Sequence, residues 1–169
     1  MNNITILEAK PSMAEDLLLL NNMLDNETEF RAYKPGERKI LPEEYALYLE
    51  EIRKSKNSNI FVAFDGVTPI GLLEANGRAF QRKSHVTHIV IGILKNYTGL
   101  GIGKHLFTRM EEWARDVGLV RLELTVFTYN TPAIKLYKKL GFLTEGTIKS
   151  SFKLNDKFVD EYLMAKILK

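Results

Sequence analysis

The spacing of apolar residues changes period several times along the chain, and each change marks an element. Residues 4–8 read as a short first strand. Ser12, Met13, Ala14 and Glu15 fit a capping box, in which serine and glutamate side chains satisfy free N–H groups at a helix start. The helix this predicts runs to about Leu24. Residues 25–40 follow as a long polar connection carrying Glu27, Glu29, Arg31 and Glu37, and long loops on compact domains are often functional. Pro42 sits where a first-turn proline belongs, and Tyr45, Leu49 and Ile52 give the next helix its apolar stripe.

The middle of the chain switches to strand signals. Residues 59–64 are β-branched and aromatic, Asp65-Gly66 supplies hairpin turn chemistry, and residues 69–76 return as a strand with Glu74 near its end. Residues 86–94, rich in Val and Ile, predict another strand. After a glycine-rich loop, Leu106, Phe107, Met110, Trp113, Ala114 and Val117 fall at helical spacing. Glu111 precedes Arg115 by one turn, and Gly118 marks the stop. Leu122, Leu124 and Val126 alternate with Glu123, Thr125 and Phe127, as in a strand. Thr131-Pro132 opens a helix that ends before Gly141, and residues 147–154 and 158–164 read as a closing antiparallel pair around Asn155-Asp156.

Strand, glycine loop, helix and strand in this order predict a parallel pair with a right-handed crossover. The flanking hairpins make the sheet mixed. The expected fold class is therefore α/β, of the mixed α+β kind, with a mostly antiparallel sheet, a central parallel strand pair and flanking helices. In open α/β sheets ligands gather beyond the carboxyl ends of parallel strands. Here that edge carries residues 98–104 and 129–131.

Composition narrows the picture. A chain of 169 residues with no linker or repeat suits one domain, 1–169. No apolar run approaches the roughly 18 residues that span a bilayer, so no membrane partner is expected. Residues 1–8 lack the basic region and apolar core of a secretory signal. There is no cysteine, which excludes disulfides, a thiol nucleophile and cysteine metal sites. A cytoplasmic location and no metal are the expectations. The net charge of +3 is mild, and the nearest basic cluster, Arg78, Arg82 and Lys83, reads as a solvated turn. Nucleic acid is not an expected partner.

The strongest chemical signal is Thr98-Gly99-Leu100-Gly101-Ile102-Gly103-Lys104, between a strand and a helix. Glycine admits close backbone approach and positive φ. A helix start adds unpaired N–H groups and about half a positive charge, which suits a phosphate or pyrophosphate. Lys104 can add its own charge. A P-loop is excluded, because Thr98 replaces its first glycine and His105 its hydroxyl. A dinucleotide fingerprint is excluded too, because its third glycine falls on Lys104, or on Leu106 if counted from Gly101. A tight turn without a ligand remains open on the glycines alone.

The stretch 91–115, together with Asn130-Thr131-Pro132-Ala133 and Leu136-Tyr137-Lys138-Lys139-Leu140-Gly141-Phe142, resembles the GNAT acetyltransferase superfamily. The first block resembles its donor-binding motif, Arg/Gln-x-x-Gly-x-Gly/Ala, at Thr98, Gly101 and Gly103. The second resembles its Asn…Ala…Leu-Tyr…Gly-Phe segment. The two blocks stand in the expected order, separated by a helix and a strand, and the similarity covers roughly residues 60–169. The chain departs from the motif at Thr98, where the family usually has Arg or Gln.

The resemblance implies acetyl-coenzyme A as cosubstrate, held by Thr98, Gly99, Leu100, Gly101, Ile102, Gly103 and Lys104. It implies that the backbone of Ile91, Gly92 and Ile93 pairs with the pantetheine arm, and that an N–H there stabilises a developing oxyanion. Asn130 and Ala133 would contact the donor or shape its site, and Tyr137 would protonate the leaving sulfur. By residue pattern alone Tyr137 reads as well as a buried aromatic beside Leu136. The implied reaction is direct transfer of an acetyl group to a primary amine of a small molecule or peptide in a ternary complex. The base stays open among Glu74, Glu123, His88 and a water chain. Glu27, Glu29 and Arg31, on the long loop, and Glu74 are candidates for the acceptor pocket. The other readings are an acetyl-coenzyme A-binding sensor or scaffold without activity, and an enzyme that acetylates protein termini or lysines. A homodimer is common in the family.

Overall fold

The computed structural model describes residues 4–168. The first three positions of the 1–8 stretch weighed as a leader, and the last position of the 1–169 domain, lie outside the described residues. The chain runs β1 (Ile4–Glu8), α1 (Ala14–Glu27), α2 (Pro42–Lys54), β2 (Asn59–Asp65), β3 (Thr68–Gly77), β4 (Val86–Ile93), α3 (Ile102–Asp116), β5 (Arg121–Phe127), α4 (Thr131–Lys139), β6 (Leu143–Leu154) and β7 (Lys157–Ile167). The strands form one sheet in the order β1-β2-β3-β4-β5-β7-β6. Among these neighbours only β4 and β5 run parallel, joined by α3 as the crossover. The expected mixed α/β class and its central parallel pair are what forms.

Two helix faces close the sheet from opposite sides. A Cβ added to Gly92 would meet Leu24 of α1, whereas Ile93, the next residue on β4, reaches Gly103 of α3. Successive strand residues point to opposite faces, so α1 and α3 lie across the sheet from one another. The apolar stripe of α3 is buried as its spacing predicts: Leu106, Phe107, Met110 and Ala114 are fully enclosed. Val117 is the exception; it sits at the C-cap, 43% exposed. β2 is buried on both faces from Ile60 to Ala63, and the Phe61 ring packs edge-on against Trp113 at 5.9 Å.

Two sequence expectations need correction. The capping box at Ser12 does not form. Pro11 starts a 3-10 turn over Pro11–Met13, which puts Met13 rather than Ser12 at the N-cap of α1, without a side-chain cap. Proline pre-sets φ for such a turn, and Ser12 is caught inside it. Half of a capping box stands instead at α2, where the Leu41 N–H donates to Glu44 at 3.0 Å. Second, α1 continues to Glu27, so Asp25 and the candidate Glu27 belong to a helix and not to the polar connection.

The position of the site follows from where β4 and β5 part. Their pairing covers only Val86↔Arg121, Thr87↔Leu122 and His88↔Glu123. Beyond it β4 stays with β3 as far as Gly71↔Ile93, and β5 stays with β7 as far as Phe127↔Glu161. A cleft thus opens between the carboxyl halves of the two parallel strands.

Candidate active site

The glycine loop stands at the mouth of this cleft. Gly99 and Gly101 have φ of 78° and 80°, the left-handed region that only glycine enters without strain. A Cβ on either would meet nothing within 4 Å, so the loop's outer side is open. Gly101 is the N-cap of α3, and the first bond of the helix runs from His105 N to Gly101 O at 3.2 Å. The amides of Ile102, Gly103 and Lys104 therefore precede the helical ladder and face outward, with the dipole's positive end behind them. The Ile102 side chain is 2% exposed and roots the helix in the core, whereas Leu100 and Lys104 stand on the surface.

Two residues of this loop also have structural roles. The Thr98 hydroxyl donates to the Lys95 carbonyl at 2.8 Å, closing the 3-10 turn Lys95–Tyr97. It acts as a turn lock where the family pattern has a long donor. Gly103 is a packing glycine: a Cβ there would come 3.1 Å from Leu136 Cδ2 and 3.5 Å from Ile93 Cδ1. Its smallness lets α3 approach both β4 and α4.

The cleft itself is lined by backbone. Leu94 N donates to Ile70 O on the β3 side at 2.9 Å. Strand alternation then turns the N–H groups of Ile91 and Ile93 the other way, toward the gap left by β5. Across the gap, α4 begins at Thr131 with Asn130 as its cap; Asn130 Oδ1 accepts from Ala133 N at 3.4 Å. That bond fixes the helix start. One turn beyond Ala133 lies Tyr137, buried against Phe107 at 5.8 Å and Phe142 at 6.1 Å. Burial pushes its phenol up to about 12, so it stays protonated across the neutral range.

On the opposite face, the segment between α1 and α2 is anchored at Arg31 and Arg38, while most of its other residues are exposed. Asp25, 2% exposed, takes Arg31 Nε at 2.8 Å on one oxygen and Arg38 Nε at 2.9 Å on the other. Arg38 also lies over the Tyr33 ring at 4.1 Å. The segment's outer edge reaches β5: Phe30 packs on Phe127 and Tyr129, and Tyr129 Oη donates to Glu29 at 3.2 Å. Glu27 accepts from Lys95 N at 2.7 Å and so holds the turn after β4. Of the loop candidates, Arg31 reaches β4 beside Gly92, Glu29 latches the rim, and Glu27 supports the frame. Phe30, Phe127, Tyr129 and Phe152 form an aromatic wall that the sequence did not announce, because its members lie on three separate segments.

The base candidates separate by environment. Glu74 faces Val90 across the β3–β4 pair, on the face that Gly92 shares with α1. Burial raises its carboxyl above the usual carboxylate range, against the opposing pull of Arg31, the Asn76 hydrogen bond and Arg38. Burial also raises Glu123, but the hydrogen bonds from Arg78 (2.9 Å) and Arg121 (3.0 Å) outweigh it and hold the carboxyl low. Glu123 is therefore committed to its arginines. Burial and then Arg78 lower His88, against Glu123 and Glu161, which leaves a neutral imidazole near pH 7.

Two surface concavities lie elsewhere. One is lined by Glu111, Arg115 and Lys166, the other by Leu19, Met23 and Pro69. Neither includes the glycine loop, Tyr137 or the carboxyl halves of β4 and β5. Among the described residues no three His, Asp or Glu side chains gather as a metal site, and no helix is long and apolar enough to cross a membrane.

Comparison with known proteins agrees with this geometry. The model of the Acetyltransferase (GNAT) family matches residues 23–142. The L-amino acid N-acetyltransferase AaaT of Escherichia coli is 38% identical over 102 residues, which are 58% of this chain and 61% of that protein. The chain thus spans less than two thirds of that relative. A GNAT-family acetyltransferase from Streptococcus pneumoniae superposes with a TM-score of 0.94 at 32% identity, covering 99% of this chain and 100% of the other. A phosphinothricin acetyltransferase from Sinorhizobium meliloti, crystallised in complex with acetyl-coenzyme A, shares the fold at a TM-score of 0.84 and 19% identity, over 98% of this chain and 88% of that one. With the open glycine loop at the start of α3, the β4–β5 cleft and a family match over more than half its length, the chain belongs to the acetyltransferase (GNAT) family.

Proposed function

We propose that this protein is an acetyl-coenzyme A-dependent N-acetyltransferase that acetylates a primary amine of a small molecule or peptide by direct attack in a ternary complex. What supports this reading is the open glycine loop at the start of α3, whose amides precede the helical ladder, beside the gap where the carboxyl half of β4 has parted from β5. The residues fit such a donor. The open loop at Gly99 and Gly101 has room for a pyrophosphate. The outward N–H groups of Ile91 and Ile93 suit the pantetheine arm and the thioester oxygen. When bound, the cosubstrate supplies an activated acetyl group.

The protein's own residues do the rest. The sheet separates the two reactants: α3 serves the donor on one face, while Glu74, Arg31 and the aromatic wall stand toward the other. The attacking amine must be neutral. For an amine near pKa 8 this costs about 1.4 kcal/mol at pH 7, and for a lysine-like amine about 4.6 kcal/mol. We assign Glu74 as the base: it lies on the face of the sheet that Gly92 shares with α1, and burial raises its affinity for protons. Tyr137 holds its proton too tightly to surrender it to an ordinary thiolate near 8.5. Its role is hydrogen-bond donation to the sulfur as charge builds there.

A thiol-release assay over a broad amine panel, paired with calorimetry of acetyl-coenzyme A binding, tests the reading. Release on at least one amine supports it. Tight binding with no release on any amine favours a sensor or scaffold, and release only on protein substrates favours a protein acetyltransferase.

A further inference from the structure

Arg31 is bonded on two of its three nitrogens. Nε donates to Asp25 Oδ1 at 2.8 Å and Nη2 donates to Asn21 Oδ1 at 2.7 Å. Nη1 is buried and has no hydrogen-bond partner among the described residues. The side chain is only 8% exposed, so this is no surface arginine trailing into solvent. A buried charged donor left without an acceptor costs more than the roughly 1–3 kcal/mol of a neutral one.

The place of Nη1 gives the vacancy meaning. It lies directly over Gly92, where a Cβ would come within 2.5 Å of it. Gly92 belongs to the part of β4 that has left β5, between the two residues whose N–H groups face the cleft. Glycine at this position is what lets the guanidinium reach the strand. Charge points the same way. Asp25 is shared by two guanidinium groups, Arg31 and Arg38, so the Asp25 cluster carries one positive charge in excess. Glu74 lies on the face of the sheet that Gly92 shares with α1, within electrostatic range of Arg31.

Resting on the acetyltransferase reading, we propose that the acceptor is a 2-amino carboxylic acid, whose carboxylate docks on Arg31 Nη1 while its amine stands between Glu74 and the cleft. An adjacent cation and anion match a zwitterion whose two charges are an atom or two apart. A longer ω-amino acid, anchored over Gly92, would carry its amine past the cleft. The amine of a 2-amino acid is also less basic than a lysine-like amine, so it costs less to neutralise. Nη1 is closed to solvent, so the segment carrying Arg31 shifts locally to admit the acid. The outer latch of that segment, Tyr129 to Glu29, is an exposed contact and opens at little cost.

The test compares kcat/KM on the unmodified protein for the common L-amino acids, their carboxamides, and 4-aminobutanoate, at saturating acetyl-coenzyme A. The proposal expects the best acid to exceed its own carboxamide and 4-aminobutanoate by at least tenfold, mainly through KM. In Arg31→Gln the acid-to-amide ratio falls toward one, a change that loss of stability alone does not produce. If amides or 4-aminobutanoate react as well as the acids, the proposal is overturned while the acetyltransferase reading stands. If acetyl-coenzyme A binds and no amine of any kind reacts, both fail.

Discussion

Asp25 and Arg31 form a 2.8 Å ion pair in which both side chains are more than nine-tenths buried, six residues apart across the end of α1. Arg38 closes on the same carboxylate from further along the segment. Removing the shared anion leaves two buried guanidinium groups without the carboxylate that both contact. Asp25→Ala should therefore cost about 3–5 kcal/mol, the range for breaking a buried pair. Urea unfolding measures it, and a loss under 1 kcal/mol would show the cluster to be solvated.

The glycines of the donor loop should respond differently to the same substitution. Gly101→Ala meets no neighbour but keeps a left-handed φ, a strain of roughly 1–2 kcal/mol, and should weaken acetyl-coenzyme A binding as the turn relaxes. Gly103→Ala has helical geometry and instead presses on Leu136 and Ile93. It should lower stability by about 1–3 kcal/mol through overpacking. Calorimetric affinity set against melting temperature separates the two.

Glu74 gives a pH signature. Its folded-state affinity for protons is raised, so its contribution to stability is fully present below the unfolded carboxyl value and is lost as pH rises through the folded one. Glu74→Gln should be at least as stable as the parent at neutral pH, with the difference vanishing near pH 4. As the base, Glu74 should also produce an acidic limb in kcat/KM that Glu74→Gln lacks. A limb that survives the substitution removes Glu74 from that role.

His88 has the opposite sign. Its folded value is lowered, so the unfolded chain binds the proton more readily and stability falls as pH drops through about 6.5. Thermal melts between pH 7.5 and 5 should show a shallower decline in His88→Gln than in the parent.

Tyr137→Phe should lower kcat by about ten- to a thousandfold with donor affinity nearly unchanged, the effect of losing one hydrogen-bond donor to developing charge. The ring contacts with Phe107 and Phe142 remain, so the fold survives. Unchanged kcat would return Tyr137 to a packing role.

The β4-α3-β5 unit was legible because its signals are local: β-branched residues, a glycine loop and apolar positions at helical spacing. Pro42, Gly118 and the Asn155-Asp156 turn marked ends for the same reason. The start of α1 was misread because Pro11 began a 3-10 turn that swallowed Ser12. β6 begins at Leu143, four residues before its expected start, because a register irregularity between Thr144 and Gly146 interrupts the alternation. The anchored segment between α1 and α2 was beyond reach. Its polar residues read as solvent-facing until Asp25 is seen buried, and no short-range pattern links Phe30 to Phe127 or Glu29 to Tyr129.

The central claim is that the amides opening α3 hold the pyrophosphate of the acetyl donor. Amide NMR during titration with coenzyme A tests it most directly. The account predicts saturable shifts at Gly101, Ile102, Gly103 and Lys104, with weaker ones at Ile91 and Ile93 and little change around Arg115. Saturable binding whose shifts fall elsewhere, or no binding by folded protein, would contradict it.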